Sequence, residues 1–169
     1  MIEIPIGTET ITYAEQKLKK LHFKDGLGLS KFGSEYHRIL IGYIGERVIM
    51  EYLNITEDAD NFNYDLLYKD KKLEIKTISC KFKPRRDYLA TVNSHNLDGI
   101  HQQKADYYIF LRILNNKTKA WILGCYPCTE FFKKGEFVPK GKDFGKFKFV
   151  KANATVLPIS ELRPLNQIR

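Results

Sequence analysis

The 169-residue chain has no run of eighteen consecutive apolar residues, so its sequence offers no helical membrane span. The first residues, MIEIPIGTETITYAEQ, lack a basic start and a long apolar segment, so neither a signal nor a transit peptide is expected. Cysteine is scarce: three, an odd count that argues against a disulfide scaffold and fits a reducing, cytoplasmic setting. No phosphate-cradling glycine loop occurs, because DGLGLSKFG lacks both the Gly-Lys-Ser/Thr ending and a preceding strand. Internal repeats and low-complexity linkers are absent too.

Aromatic residues are plentiful, with eleven Phe, ten Tyr and one Trp, and the chain is 43% hydrophobic, which excludes disorder over most of its length. Lys and Arg number 28 against 20 Asp and Glu, a net charge of +8. A small basic domain points to a polyanionic partner, nucleic acid before membrane, although some soluble proteins are this basic without one. One domain with one core is the natural expectation for this length.

Helices are predicted over 9–22 and over 34–53, SEYHRILIGYIGERVIMEYL, the second with Ser34 as N-cap and with apolar residues on more than one side. Strands follow at about 63–68 and 73–79 around the turn KDKK, and at 88–92, YLATV. SHNLDGIHQQKA (94–105) reads as a short helix weakened by Gly99. DYYIFLRIL (106–114) and KAWILGCY (119–126) form a hairpin across NNKT. TEFFKKG supplies one or two helical turns, and GKFKFVKANATVLPI a late strand pair or a single extended run. This order predicts α/β or α+β architecture with a central mixed sheet.

The segment NYDLLYKDKKLEIKTIS, 63–79, carries charges where two apolar strands would be expected. Glu74 and Lys76 share a face, because alternate strand residues do. With Lys69–Lys72 as a four-residue turn, Tyr68 opposes Leu73, Leu67 opposes Glu74 and Asp65 opposes Lys76, so the three charges converge on one patch. A three-residue turn would send Asp65 to the other face. Asp65, Glu74 and the carbonyl of Ile75 are hard oxygen donors of the kind Mg²⁺ takes, and Lys76 could orient a water or offset developing charge. The plainer alternative is a solvated charged face. Glu46 falls in a helical row with Ile39, Tyr43, Met50 and Leu53, where a carboxylate needs a cleft or a partner such as Arg47 or a lysine from elsewhere.

Taken in order, GERVIMEYL, NYDLLY and LEIKTIS resemble the PD-(D/E)XK nuclease superfamily over about residues 35–113. Asp65 matches the motif's first acid, Glu74 its second, Lys76 its lysine and Glu46 the glutamate of the preceding helix; Tyr64 stands where the motif's proline would be. The resemblance implies a restriction-endonuclease-like α/β fold, a mixed sheet flanked by helices. It also implies Mg²⁺-dependent hydrolysis of DNA phosphodiesters, with Mn²⁺ as a substitute. Gln103 and Tyr107 have the Gln-x-x-x-Tyr spacing of some recombination nucleases, with Gln102 an equal candidate.

Around this core of about 35–113, strands and a loop over 119–169 complete the single domain. KFKPRR directly follows the Glu74–Lys76 strand, so Lys81, Lys83, Arg85 and Arg86 are expected beside the metal site, on phosphates. Phe137, Phe144, Phe147 and Phe149 read as packing before base stacking, and Asn93, Ser94, His95 and Asn96 as polar groups suited to base edges. Cys125 and Cys128 form one Cys-x-x-Cys, short of a zinc set, and read as structural or incidental. The expected activity is that of a metal-dependent endonuclease on DNA, with duplex cleavage favouring a homodimer. The rival is a non-catalytic basic DNA-binding protein on the same fold, and an RNA substrate is a weaker third reading.

Overall fold

The computed structural model describes residues 1–25, 33–59, 63–93, 104–142 and 152–169, without the side chains of 21–25 and 33–34. A strand β1 (Ile2–Pro5) precedes the helices α1 (Thr8–Asp25) and α2 (Gly33–Leu53). The hairpin of β2 (Leu66–Tyr68) and β3 (Lys71–Cys80) comes next, then β4 (Leu89–Asn93) and the hairpin of β5 (Tyr107–Leu114) and β6 (Lys119–Pro127). Helix α3 (Cys128–Lys134) and strands β7 (Glu136–Val138) and β8 (Ala154–Pro158) follow.

The architecture is mixed α/β. One five-stranded sheet runs β1-β6-β5-β3-β2, with β3 and β5 parallel and the other pairs antiparallel. A parallel pair needs a long crossover, and β4 lies inside this one, pairing instead with β8 in a second, antiparallel sheet, β4-β8-β7. No described helix is long and apolar enough to cross a membrane.

Strand alternation gives the large sheet two apolar faces. Leu73, Ile75, Ile109, Leu111 and Ile113 face α1 and α2, meeting Leu18, Ile44, Val48 and Ile49. Tyr108, Phe110, Trp121 and Leu123 face the other way, onto Ala90, Val92 and Leu157 of the small sheet and Phe131 of α3. Helices α1 and α2 therefore cover one face, and the short α3 covers part of the other. The mixed sheet has helices on both faces, and the small sheet is an unexpected addition that closes the second core.

Helix α2 can lie close on β3 because of Gly45. A Cβ there would stand 2.0 Å from Thr77 Oγ1, so any side chain would force helix and sheet apart. In β6 the register slips by one residue opposite Phe110/Leu111, beside Gly124 at φ +146°. That bulge inverts the alternation, sending Cys125 to the α-side core and Tyr126 to the other.

Several sequence expectations change. The turn between β2 and β3 has two residues, not four: Lys69 and Asp70 have φ of 49° and 61°, the left-handed pair that matches strand twist. Tyr68 thus pairs with Lys71, Leu67 with Lys72 and Leu66 with Leu73. The slip is an even number of residues, so Leu66 and Leu73 still face the core together. Strand 88–92 belongs to the second sheet, and β1 and β7 had no sequence signal. Helix α2 starts at Gly33, before Ser34, whose side chain lies outside the described residues. The helix expected at 94–105 falls almost wholly outside them, as do Gln102, Gln103, Ser94, His95, Asn96, Phe144, Phe147 and Phe149. Phe137 is in sheet packing, opposite Thr155.

Candidate active site

Asp65 stands one residue before β2, at the edge of the large sheet. Its N–H donates to the Leu73 carbonyl at 2.9 Å, and its Oδ2 accepts the Ile75 N–H at 2.6 Å. The side chain thereby takes the place of the next ladder bond where β2 begins. It sits against Leu73–Ile75, not opposite Lys76 as a four-residue turn would have placed it. In an extended strand the N–H and C=O of one residue point to the same edge, so the Ile75 carbonyl faces the side on which Asp65 lies.

Glu74 and Lys76 alternate with the buried Leu73 and Ile75, and their side chains form an ion pair at 2.8 Å. Lys76 Nζ also lies 5.7 Å from the centre of the Tyr108 ring. From the other side α2 contributes Glu46, only 9% exposed in a run of apolar neighbours. Its Oε2 is 2.8 Å from Lys17 Nζ of α1. Lys17 also holds Asp58 at 2.9 Å and lies 4.9 Å from the centre of the Tyr43 ring, and Tyr13 donates its hydroxyl to Asp58 at 2.8 Å. Arg47, the other candidate partner for Glu46, pairs instead with Glu51 one turn on.

Electrostatics tie these groups together. Burial, then the charges of Glu74 and Glu46, push the Asp65 carboxyl up to about 7, against the pull of the Ile75 N–H and Lys76. Burial also raises Glu46, with Asp58 and Glu74 adding to it and Lys17 opposing. Lys17 is held above its ordinary value although burial disfavours its charge, because Glu46 and Asp58 flank it. A carboxyl raised by burial and like charges is a frequent mark of a working site, and of some structural clusters as well.

The donor types suit a hard dication: carboxylates of Asp65 and Glu74, the Ile75 carbonyl, and Glu46 close enough to be felt. As they stand, no three acidic, His or Cys side chains among the described residues are gathered as a ligand set. Glu74 is turned onto Lys76 and Glu46 onto Lys17, so both would swing to ligate.

Lys17 and Asp58 were missed in the sequence. Lys17 had a signal of the kind used for Glu46: a charge in a row with Thr10, Ala14 and Leu18, all buried. Asp58 follows α2 in an irregular acidic segment with no periodicity to mark it.

The basic segment is elsewhere. Strand β3 continues unbroken to Cys80, so Lys81 lies about 23 Å of extended chain beyond Glu74, at ~3.3 Å per residue. That corrects the expectation of a loop beside the acids. Arg85 is paired with Asp87 and Lys83 lies 3.8 Å from Glu3, while Lys81 and Arg86 are exposed. Cys125 and Cys128 are free thiols buried in different cores, which separates the Cys-x-x-Cys pair. Burial pushes them up to about 11 and about 12. Compared with known proteins, the chain matches no family model and no curated sequence.

Proposed function

We propose that the chain is a divalent-metal-dependent deoxyribonuclease of the restriction-endonuclease-like fold, with its active site at the β2–β3 edge. The observation that carries this reading is Asp65, a half-buried carboxyl at a sheet edge, pushed up to about 7 by partial burial and by Glu74 and Glu46, with Lys76 beside it. Mutually repelling acids of this kind are a frequent mark of a working site.

Asp65, Glu74 and the Ile75 carbonyl would hold the metal, with Glu46 supporting. Bound there, Mg²⁺ or Mn²⁺ would acidify a water and stabilise charge on a phosphate oxygen. Lys76 orients the attacking water and offsets charge on the phosphoryl oxygens. The ion pair to Glu74 holds its ammonium group at the acids before substrate arrives. Lys17 opposes the rise that burial imposes on Glu46 and fixes where its carboxylate points. One such site cuts one strand, so duplex cleavage calls for two copies.

The pairing of Glu46 and Glu74 with lysines favours a second reading, a DNA-binding protein whose acids are structural. Incubating supercoiled plasmid and single-stranded DNA with Mg²⁺, Mn²⁺ or EDTA separates the two. Metal-dependent cleavage should occur with the wild type and fall by about 10²–10⁴-fold in Lys76→Ala and Asp65→Ala. Salt-sensitive binding indifferent to EDTA and to both substitutions, with no cleavage even of branched junctions, would establish the binding module instead.

A further inference from the structure

Along β3 and β5, the residues that share a face with the acidic site come in register: Glu74 with Tyr108, Lys76 with Phe110, Ile78 with Arg112 and Cys80 with Leu114. Small-sheet residues cover the β5 side of this face, whereas Ile78 on β3 is 40% exposed. An open strip therefore leads from Lys76 past Ile78, with Arg112 on its flank.

Arg112 is an unusual cation. Its guanidinium is half-buried and donates to the Leu89 carbonyl at 3.0 Å, and no carboxylate pairs with it among the described residues. Every other arginine with a described side chain except Arg86 and the terminal Arg169, both exposed, has an acidic partner: Glu35, Glu51, Asp87 or Glu130. Burial lowers its basicity, with the Cys80 thiol and Tyr88 hydroxyl opposing only in part. Apart from the bond to Leu89, its donors are uncommitted among the described residues and none is sealed from solvent, so an incoming anion can reach them.

We propose that Arg112 is a backbone-phosphate site, gripping a DNA phosphodiester about two nucleotides from the one cleaved at Asp65, Glu74 and Lys76. Two residues along a strand and one strand across place its Cα about 8 Å from that of Lys76. That separation is on the order of two nucleotides of duplex rise at ~3.4 Å each. The guanidinium fork matches two phosphate oxygens, and the Leu89 carbonyl fixes one of its nitrogens in advance. The inference rests on the nucleic-acid reading of the adjacent site, and assigns it a substrate contact that cleavage itself does not require.

The test is DNA binding in EDTA, so that hydrolysis plays no part, with a fluorescent duplex titrated over a range of salt. Arg112→Gln should weaken binding roughly tenfold at low salt and make the salt slope shallower by about one. Arg112→Lys keeps the charge and loses the fork, so it should keep the slope and bind a few-fold more weakly; it also serves if the Gln variant does not fold. Wild-type affinity and slope in folded Arg112→Gln, or wild-type affinity in Arg112→Lys, would overturn the phosphate site and leave the nuclease reading untouched. Loss of binding as expected, in a protein that never cleaves with Mg²⁺ or Mn²⁺, would keep the phosphate site and remove the hydrolytic reading. A wild type that does not bind DNA at low salt would remove both.

Discussion

The two ends of strand β3 carry opposite charge in opposite settings. At its start, Asp65, Glu74 and the neighbouring Glu46 are wholly or partly buried, lean on one another, and need Lys76 and Lys17 to be tolerated. Beyond its finish, Lys81, Lys83, Arg85 and Arg86 are exposed on an irregular loop with the 76%-exposed Phe82. Charges in water cost little and are worth little to the fold, whereas buried like charges oppose it. The acidic end therefore holds its charge at a cost to the fold, and the basic end carries its charge at almost none.

The largest expected effect tests that statement at Asp65. In the fold this carboxyl keeps its proton up to about 7, while the unfolded chain releases it near the ordinary 3.8. Between those values the native state binds more protons than the unfolded one, so stability falls as pH rises through that window and levels off above it. Asp65→Asn keeps an oxygen for the Ile75 N–H and removes the charge. In EDTA it should match wild type near pH 4 and be more stable by about 2 kcal/mol at pH 8, since each pKa unit is ~1.4 kcal/mol and the shift is shared with Glu74 and Glu46. Thermal melts at the two pH values decide it: an Asn variant less stable at pH 8 would make Asp65 a structural acid. Cleavage should be lost at either pH.

Next is Lys17, which faces two carboxylates, Glu46 and Asp58. Lys17→Met keeps the stem and deletes the charge, leaving Glu46 buried without its cation. Stability should drop by about 2 kcal/mol and kcat by about tenfold, with DNA affinity in EDTA unchanged. Lys17→Arg should restore turnover. Tyr13→Phe, which removes only the hydroxyl donated to Asp58, should cost about 1 kcal/mol of stability and leave kcat alone. If turnover instead tracks melting temperature across all three variants, Lys17 merely joins two helices.

What could be read from the sequence follows the range of the interactions. Helix α2 and the β5–β6 hairpin declare themselves because their apolar patterns and turns are local. The acids were legible because Asp65, Glu74 and Lys76 interrupt an apolar strand pattern. In the small sheet, β4 and β8 fall within the expected strands at 88–92 and in GKFKFVKANATVLPI, but the three-residue β7 and the pairing of β8 with β4, far away in sequence, were not legible. Nor was the pairing of Ile2–Pro5 with β6, more than a hundred residues on. The β2–β3 turn was misjudged because Lys69 and Asp70 adopt left-handed conformations without a glycine to announce them. The basic loop lies elsewhere for a simpler reason: Lys81 is near Lys76 in sequence, but β3 runs on to Cys80 and carries the loop away from it in space.

The smallest effects belong to that loop, and they differ within it. Lys83 and Arg85 already face Glu3 and Asp87, so part of their charge is spoken for. Lys81 and Arg86 are exposed and have no acidic partner among the described residues. If DNA runs from the acids past Arg112 to this end of β3, Lys81→Ala and Arg86→Ala should each make the salt slope of duplex binding shallower by about 0.9, and Lys83→Ala and Arg85→Ala by clearly less. All four should leave stability within about 0.5 kcal/mol of wild type, as exposed charges do. Unchanged slopes at Lys81 and Arg86 would mean that the duplex leaves the protein before the strand ends, and the contrast between the two ends of β3 would then be one of charge alone, not of shared substrate.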